Sequence, residues 1–344
     1  MVNMLYYDDL EEIIFTKHEL LSDEPDNLTI ISGYLGPGPI NHLKDLDFNV
    51  NIIGGMYNNG ISPKLWNSLK KSMEKNKKLT IEFSTMEIHS KIYVWKLNGK
   101  ILSGLIGSAN FSSPGLRSEY RETLADMTRD SFKYFEKYLK IVRENSIREP
   151  IINKSLYEDI SFDNKEKKDV ERLYTCDIPL YSETKSKGKY MPEKSGLNWG
   201  FSLGHVAEGD AYIRIPKQIL KQNSKLIKPY DPKYENKLKS NKKRNSNPIE
   251  LIWDDGYVME ASLEGIQSFE GKDYPKQLTS YSYKRPLLNN KRISVKSILG
   301  RYLRKRLNVP INKKITLNDL ERYGRTTITL SYVEDGIYYA DFSV

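Results

Sequence analysis

The sequence predicts two domains: an α/β domain, with a mostly parallel sheet sandwiched by helices, followed by a β-rich domain. Three observations carry this. The 344 residues exceed what a single core usually encloses. Up to residue 150, short β-branched runs alternate with helix-like segments, the pattern of strands joined through helices. Beyond residue 172, strand-like runs are separated by turn residues. The expected division is residues 1–150, a charged linker at 151–172, and residues 173–344.

In the first domain a short helix is expected over 9–18, then a buried strand over 27–34 (NLTIISGY). Gly36-Pro37-Gly38-Pro39 reads as a turn into a short helix at 40–46. A strand at 49–53 ends at Gly54-Gly55. Ser62-Pro63 opens a helix over 64–75, with proline in its first turn. Strands follow at 79–83 and on either side of Leu97-Asn98-Gly99-Lys100, then at 122–128. Apolar residues at Phe132, Tyr134, Phe135, Tyr138, Leu139 and Val142 place a helix over 129–145.

In the second domain, strands are expected at 177–181 and 210–215, the latter leading into a helix at 216–220. Runs at 249–253 and 257–263 flank Asp254-Asp255-Gly256, a hairpin signal. Residues 294–308 form a basic amphipathic helix, and 326–331 with 336–342 form a closing hairpin. Two polar stretches, 182–200 and 264–281, stand between these elements as arms. A Lys- and Asn-rich insertion at 225–248 is read as a mobile loop or solvated charge run.

Charge is unevenly divided. Residues 1–150 hold 19 Lys+Arg against 20 Asp+Glu, and residues 151–344 hold 35 against 25, within a net charge of +9. A basic second half suits a polyanion. The single cysteine, Cys176, excludes an internal disulfide and a multi-cysteine metal site, and reads as a small core residue. No apolar run is long enough for a bilayer. The acidic opening residues lack the order of a signal peptide. A reducing cytoplasm is the expected compartment.

The chemistry concentrates at residues 88–110. His89 and Lys91 stand two apart on an expected strand, so they project to one face. A second strand ends in Gly107-Ser108-Ala109-Asn110. Paired strands would gather an imidazole, an ammonium, a hydroxyl and an amide, a set suited to a phosphate diester. An unprotonated His can attack phosphorus and hold it covalently. Lys, Ser and Asn can stabilise the developing charge on the non-bridging oxygens. Glu122 is the candidate to orient His89. His42-Leu43-Lys44 repeats the His-x-Lys spacing without a following Gly-Ser-x-Asn and is read as surface. No His or carboxylate cluster has metal-ligand spacing, so the expected reaction needs no divalent metal and no other cofactor.

His89-Ser90-Lys91, Gly107-Ser108-Ala109-Asn110 and Glu122 together resemble the phospholipase D signature. With Ser195-Gly196-Leu197-Asn198-Trp199-Gly200, Asp254-Asp255-Gly256, residues 300–307 and Tyr323-Gly324-Arg325-Thr326, the chain is similar to the NgoFVII family of restriction endonucleases. The resemblance implies a phospholipase D-like nuclease domain and a B-three-like DNA-binding pseudobarrel whose two arms follow the groove. It implies double-stranded DNA as partner and sequence-specific cleavage of the type II kind through a phosphohistidine. One signature per chain implies a homodimer through the first domain, which would supply the second imidazole. The DNA contacts expected on the arms are Lys187, Lys189, Asn198, Trp199, Gln267, Lys276 and Gln277, residue types that bind phosphates, base edges or sugars. A separate ATPase subunit stays open as a partner, since this chain has no Gly-rich phosphate loop. A phospholipase D-type lipid phosphodiesterase is the alternative enzyme, and a non-catalytic DNA-binding regulator the alternative of another class. Neither explains both the complete signature and the basic second half.

Overall fold

The computed structural model describes residues 4–118, 120–153, 171, 173–223, 225–232 and 246–344. Most of the expected linker and most of the 225–248 insertion lie outside these. The chain forms two compact units, Met1–Asp159 and Ile160–Val344.

The first unit is built on one eight-stranded sheet. Its strands are β1 (Leu5–Tyr6), β2 (Asn27–Ser32), β3 (Asn49–Gly54), β4 (Leu79–Ser84), β5 (Lys91–Leu97), β6 (Lys100–Gly107), β7 (Leu124–Asp126) and β8 (Ser146–Ile147), in the order β1-β7-β6-β5-β2-β3-β4-β8. Among the described residues the parallel ladders of this sheet are β2-β3 and β3-β4. The expectation of a mostly parallel sheet is therefore corrected to a mixed one. Asn98 and Gly99, both at positive φ, make a two-residue turn between the paired Leu97 and Lys100. Such a turn can only reverse the chain, so β5 and β6 are antiparallel, and β7 pairs antiparallel to β6.

Helices cover the sheet. Phe132–Glu144 places Phe135, Leu139 and Val142, spaced four and three apart, against Ile31, Ile53, Ile92 and Val94. Pro63–Lys75 buries Leu65, Trp66 and Leu69, with Pro63 at its first position as expected. Pro37 also opens a helix, Pro37–His42, where a turn was expected. His42 is not a surface residue: its Nδ1 lies 3.0 Å from the Glu11 carboxylate, which is buried.

The second unit has a seven-stranded sheet, β12-β17-β14-β13-β21-β20-β9. Its members are β9 (Thr175–Pro179), β12 (Ile213–Arg214), β13 (Ser246–Trp253), β14 (Val258–Glu264), β17 (Gln277–Ser280), β20 (Thr327–Glu334) and β21 (Ile337–Asp341). The edge strands β9 and β12 approach one another without a ladder, so the sheet is a barrel closed except at one seam. Two small hairpins, β10 (Ser182–Thr184) with β11 (Gly188–Tyr190), and β15 (Gln267–Phe269) with β16 (Lys272–Tyr274), lie within the stretches expected as arms. A third pairs β18 (Leu287–Leu288) with β19 (Lys291–Arg292). The expected hairpin at Asp254-Asp255-Gly256 joins β13 to β14.

The basic helix Ser297–Leu307 turns Leu299, Leu303 and Leu307 into the barrel. Its Arg306 grips the Asp254 carboxylate through two nitrogens, at 2.7 and 2.8 Å, and donates to the Phe342 carbonyl. Burial alone would push the Asp254 carboxyl up; hydrogen bonds from Arg306 and from the Phe342 amide outweigh it and hold it below the ordinary carboxylate range. Cys176 is half-buried on β9, and burial, with Asp177 beside it, pushes its thiol up to about 11, which keeps it unreactive. Among the described residues no helix is long and apolar enough to cross a membrane.

Candidate active site and nucleic-acid interface

The His89 segment is set by its neighbours. It precedes β5 instead of lying on it, because the ladder begins at Lys91. Ile88 donates its amide to the Gly55 carbonyl at 2.9 Å. A β-carbon on Gly55 would stand 2.8 Å from that of Ile88, so only glycine lets the segment lie so close to the end of β3. Ser90 Oγ and Tyr138 OH are 2.7 Å apart, which ties the segment to the helix below. His89 is left exposed, and Lys91 is buried with its ammonium 3.1 Å from His89 Nδ1 and bonded to the His89 carbonyl.

The second half of the signature arrives from β6. Gly107 is the cross-strand partner of Lys91. Ser108 donates its amide to the Thr123 carbonyl at 2.9 Å and accepts the Thr123 amide on Oγ at 3.1 Å, which leaves the hydroxyl proton to give. Asn110 Oδ1 accepts the Tyr34 amide at 3.2 Å, so its Nδ2 is the end left for a ligand. A β-carbon on Gly33 would meet Lys91 Nζ and Asn110 Oδ1 at 3.2 Å each. Imidazole, ammonium and amide therefore converge over a bare glycine.

Glu122 lies just before β7 and is half-buried. No hydrogen bond joins it to His89 among the described residues. Its charge acts on Lys91 and on the buried Tyr93. Burial lowers the Lys91 pKa and Glu122 pulls it partly back up. Burial, reinforced by Glu122, pushes the Tyr93 phenol well above its usual range, and that hydroxyl donates to the Ala109 carbonyl at 2.8 Å.

Three residues of this site went unnoticed in the sequence. Ser32 Oγ donates to the Tyr34 carbonyl at 2.7 Å and accepts the Phe111 amide at 2.9 Å, clasping the β2 end to the Asn110 loop. Gly33 is the floor. Tyr34 stands edge-on to the His89 ring, 6.4 Å between centroids. The available signal was a Ser-Gly pair closing an otherwise apolar strand.

In the second unit a cleft of about 430 Å³ opens at the barrel seam, between the arm stretches. Its lining includes Pro179 and Leu180 at one lip, Arg214 and Ile215 at the other, and Lys276 and Gln277.

The sequence matches the NgoFVII restriction endonuclease N-terminal PLD domain over residues 8–155. It matches the NgoFVII C-terminal B3-like DNA-binding domain over residues 159–334. The chain belongs to the NgoFVII restriction endonuclease family. A search of curated protein sequences found no match. Similar solved structures include NucT from Helicobacter pylori (16% identity, TM-score 0.32), covering 43% of this chain and 99% of NucT. Another is a phospholipase D family member, Nuc from Salmonella typhimurium (11%, TM-score 0.31), with 44% and 99% coverage.

As an NgoFVII-family restriction endonuclease the chain joins a phosphodiester-hydrolysing nuclease domain to a DNA-binding one, and DNA is its partner. Not all residues expected on DNA are placed to reach it. Lys187 and Lys189 are exposed on the β10–β11 hairpin, their ammonium groups over Tyr190 and Tyr181. Lys276, exposed, and Gln277 line the cleft. Trp199 is half-buried and packs edge-on against Tyr212.

Asn198 is a correction. It is 1% exposed; its Nδ2 donates to the Pro192 and Ile315 carbonyls, and its Oδ1 accepts from Ile315 N and Arg304. No part of that amide remains for a base. Gln267 is a second correction. It lines the cleft, but both protons of its Nε2 are engaged by the Ile215 and Pro275 carbonyls, so it cannot bridge adenine through two bonds. It pins the second arm to Ile215, the residue that follows β12.

Proposed function

We propose that this NgoFVII-family chain is a homodimeric, type II-like restriction endonuclease that cuts DNA without a divalent metal, through a phosphohistidine on His89. The observation that carries the reading is the convergence of His89, Lys91 and Asn110 over Gly33. A non-bridging phosphate oxygen fits between the Lys91 ammonium and the Asn110 Nδ2, with the Ser108 hydroxyl as third donor. Nδ1 of His89 faces Lys91, so Nε2 is the attacking atom. Attack needs a lone pair on Nε2, hence a proton on Nδ1. An incoming phosphate competes for the Lys91 ammonium and leaves Nδ1 to donate toward Glu122, which thereby orients the ring.

The bonds balance in two steps. In the first, the Nε2–P bond forms and the P–O bond to the leaving sugar oxygen breaks; the partner subunit's His89 gives that oxygen its proton. In the second, water loses a proton to the partner subunit's His89, attacks phosphorus and breaks the N–P bond. The basic second domain selects the sequence, with Lys187, Lys189, Lys276 and Gln277 as DNA contacts. The proposed dimer forms through the first domain, because one chain carries one such imidazole.

His89→Ala should abolish plasmid cleavage while specific DNA binding persists. Denaturing electrophoresis of acid-quenched reactions should show a DNA–protein adduct with the parent enzyme only. Cleavage by His89→Ala, or loss of wild-type cleavage on adding EDTA, would refute the mechanism.

A further inference from the structure

The cleft at the barrel seam contains a residue whose chemistry the DNA-contact set above does not use. Arg214 sits on β12, in register with Gln277 on β17, which is in turn in register with Glu264 on β14. Side chains alternate along these strands. Ile213 and its partner Leu278 are buried in the core, so Arg214 and Gln277 face the other way; both line the cleft, whose floor includes the buried Ile213. The one carboxylate in this row, Glu264, is held by Lys296. Among the described residues neither the Arg214 nor the Gln277 side chain has a hydrogen-bonding or ion-pair partner. Arg214 is exposed.

An unpaired guanidinium beside an unpaired amide, in a cleft between two lysine-bearing arms, is arranged for base edges. Phosphate contact needs only a point charge, which Lys187, Lys189 and Lys276 supply from the arms and rim. A planar fork at the lip of the cleft matches the O6 and N7 acceptors of guanine in the major groove, and the adjacent amide matches the N6 and N7 of adenine. Directly opposed cross-strand residues are about 5 Å apart at their β-carbons, within the span of neighbouring base pairs.

We infer that Arg214 is a specificity-determining residue that reads a guanine through two hydrogen bonds, with Gln277 reading the adjacent base pair. This rests on the second domain binding DNA through the cleft. Full-length protein carrying His89→Ala, which keeps bound DNA uncut, would be incubated with a randomised duplex library at physiological salt, and the bound fraction sequenced. The parent should select a site with a fixed G·C pair. Arg214→Lys keeps the charge and loses the fork: it should retain affinity for unrelated DNA while the guanine preference at one position falls roughly 5- to 150-fold. Gln277→Ala should loosen only the neighbouring position. If the parent selects a site and Arg214→Lys selects the same one, the assignment of Arg214 is wrong. If the parent selects nothing, DNA reading through the cleft fails, and this inference with it. Melting curves of each variant separate a lost contact from a lost fold, and Gln277→Ala tests the same row independently.

Discussion

Gly107→Ala tests whether the geometry around Ser108 matters to cleavage. Backbone conformation at Gly107 is ordinary, so alanine meets no torsional obstacle there. The obstacle is β7. An added β-carbon would stand 2.9 Å from Leu124 Cα and closer still to the Thr123 carbonyl oxygen, against ordinary contact of 3.4–4 Å. The Thr123–Leu124 segment would have to retreat by about 1 Å or more. Retreat stretches the two Ser108–Thr123 bonds, now 2.9 and 3.1 Å. At about 1 kcal/mol each, their loss costs about 2 kcal/mol. It also carries off Glu122 and loosens Ser108, and a misplacement of about 1 Å in a reacting site costs roughly 100-fold in rate. Urea unfolding and single-turnover cleavage of a plasmid measure the two effects separately. A variant with wild-type midpoint and wild-type rate would refute the claim that close β6–β7 packing sets the site.

Two further outcomes follow from the same reasoning. Glu122→Gln removes a charge that raises the Lys91 pKa against the lowering effect of burial. That pKa then falls further, and because the phosphate needs the ammonium form, the alkaline limb of the cleavage rate should move to lower pH; an unmoved or upward-shifted limb would contradict the coupling. Asn198→Ala should lower stability by about 2 kcal/mol or more, since it leaves Ile315 N and the Pro192 carbonyl unpaired in the interior. Thermal melting detects this, and base preference measured by library selection should not change. A stable variant with altered preference would return Asn198 to the DNA-contacting set.

What the sequence disclosed depended on how local the determinants are. The His-x-Lys and Gly-Ser-x-Asn segments bring chemically distinctive residues together through one hairpin, and their meeting was legible. The helix Phe132–Glu144 was legible from its three- and four-residue spacing. Strand direction was not, because a run such as NLTIIS reads the same in either pairing sense. Asn198 was misjudged because its partner Ile315 is 117 residues away, and Gln267 because its partner Ile215 is 52 away. The helix Leu317–Tyr323 was overlooked although its ends were marked. Thr316 and Asp319 form a reciprocal cap, and Gly324 closes the helix at positive φ.

The unpaired seam between β9 and β12 has a mechanical consequence. In a fully laddered barrel, parting two neighbouring strands breaks backbone hydrogen bonds one by one. Here the two lips can part or draw together with every ladder bond of the sheet intact. If DNA is read at the cleft as proposed, selection would fall at the one place where the wall yields cheaply, while the remaining circumference keeps its register.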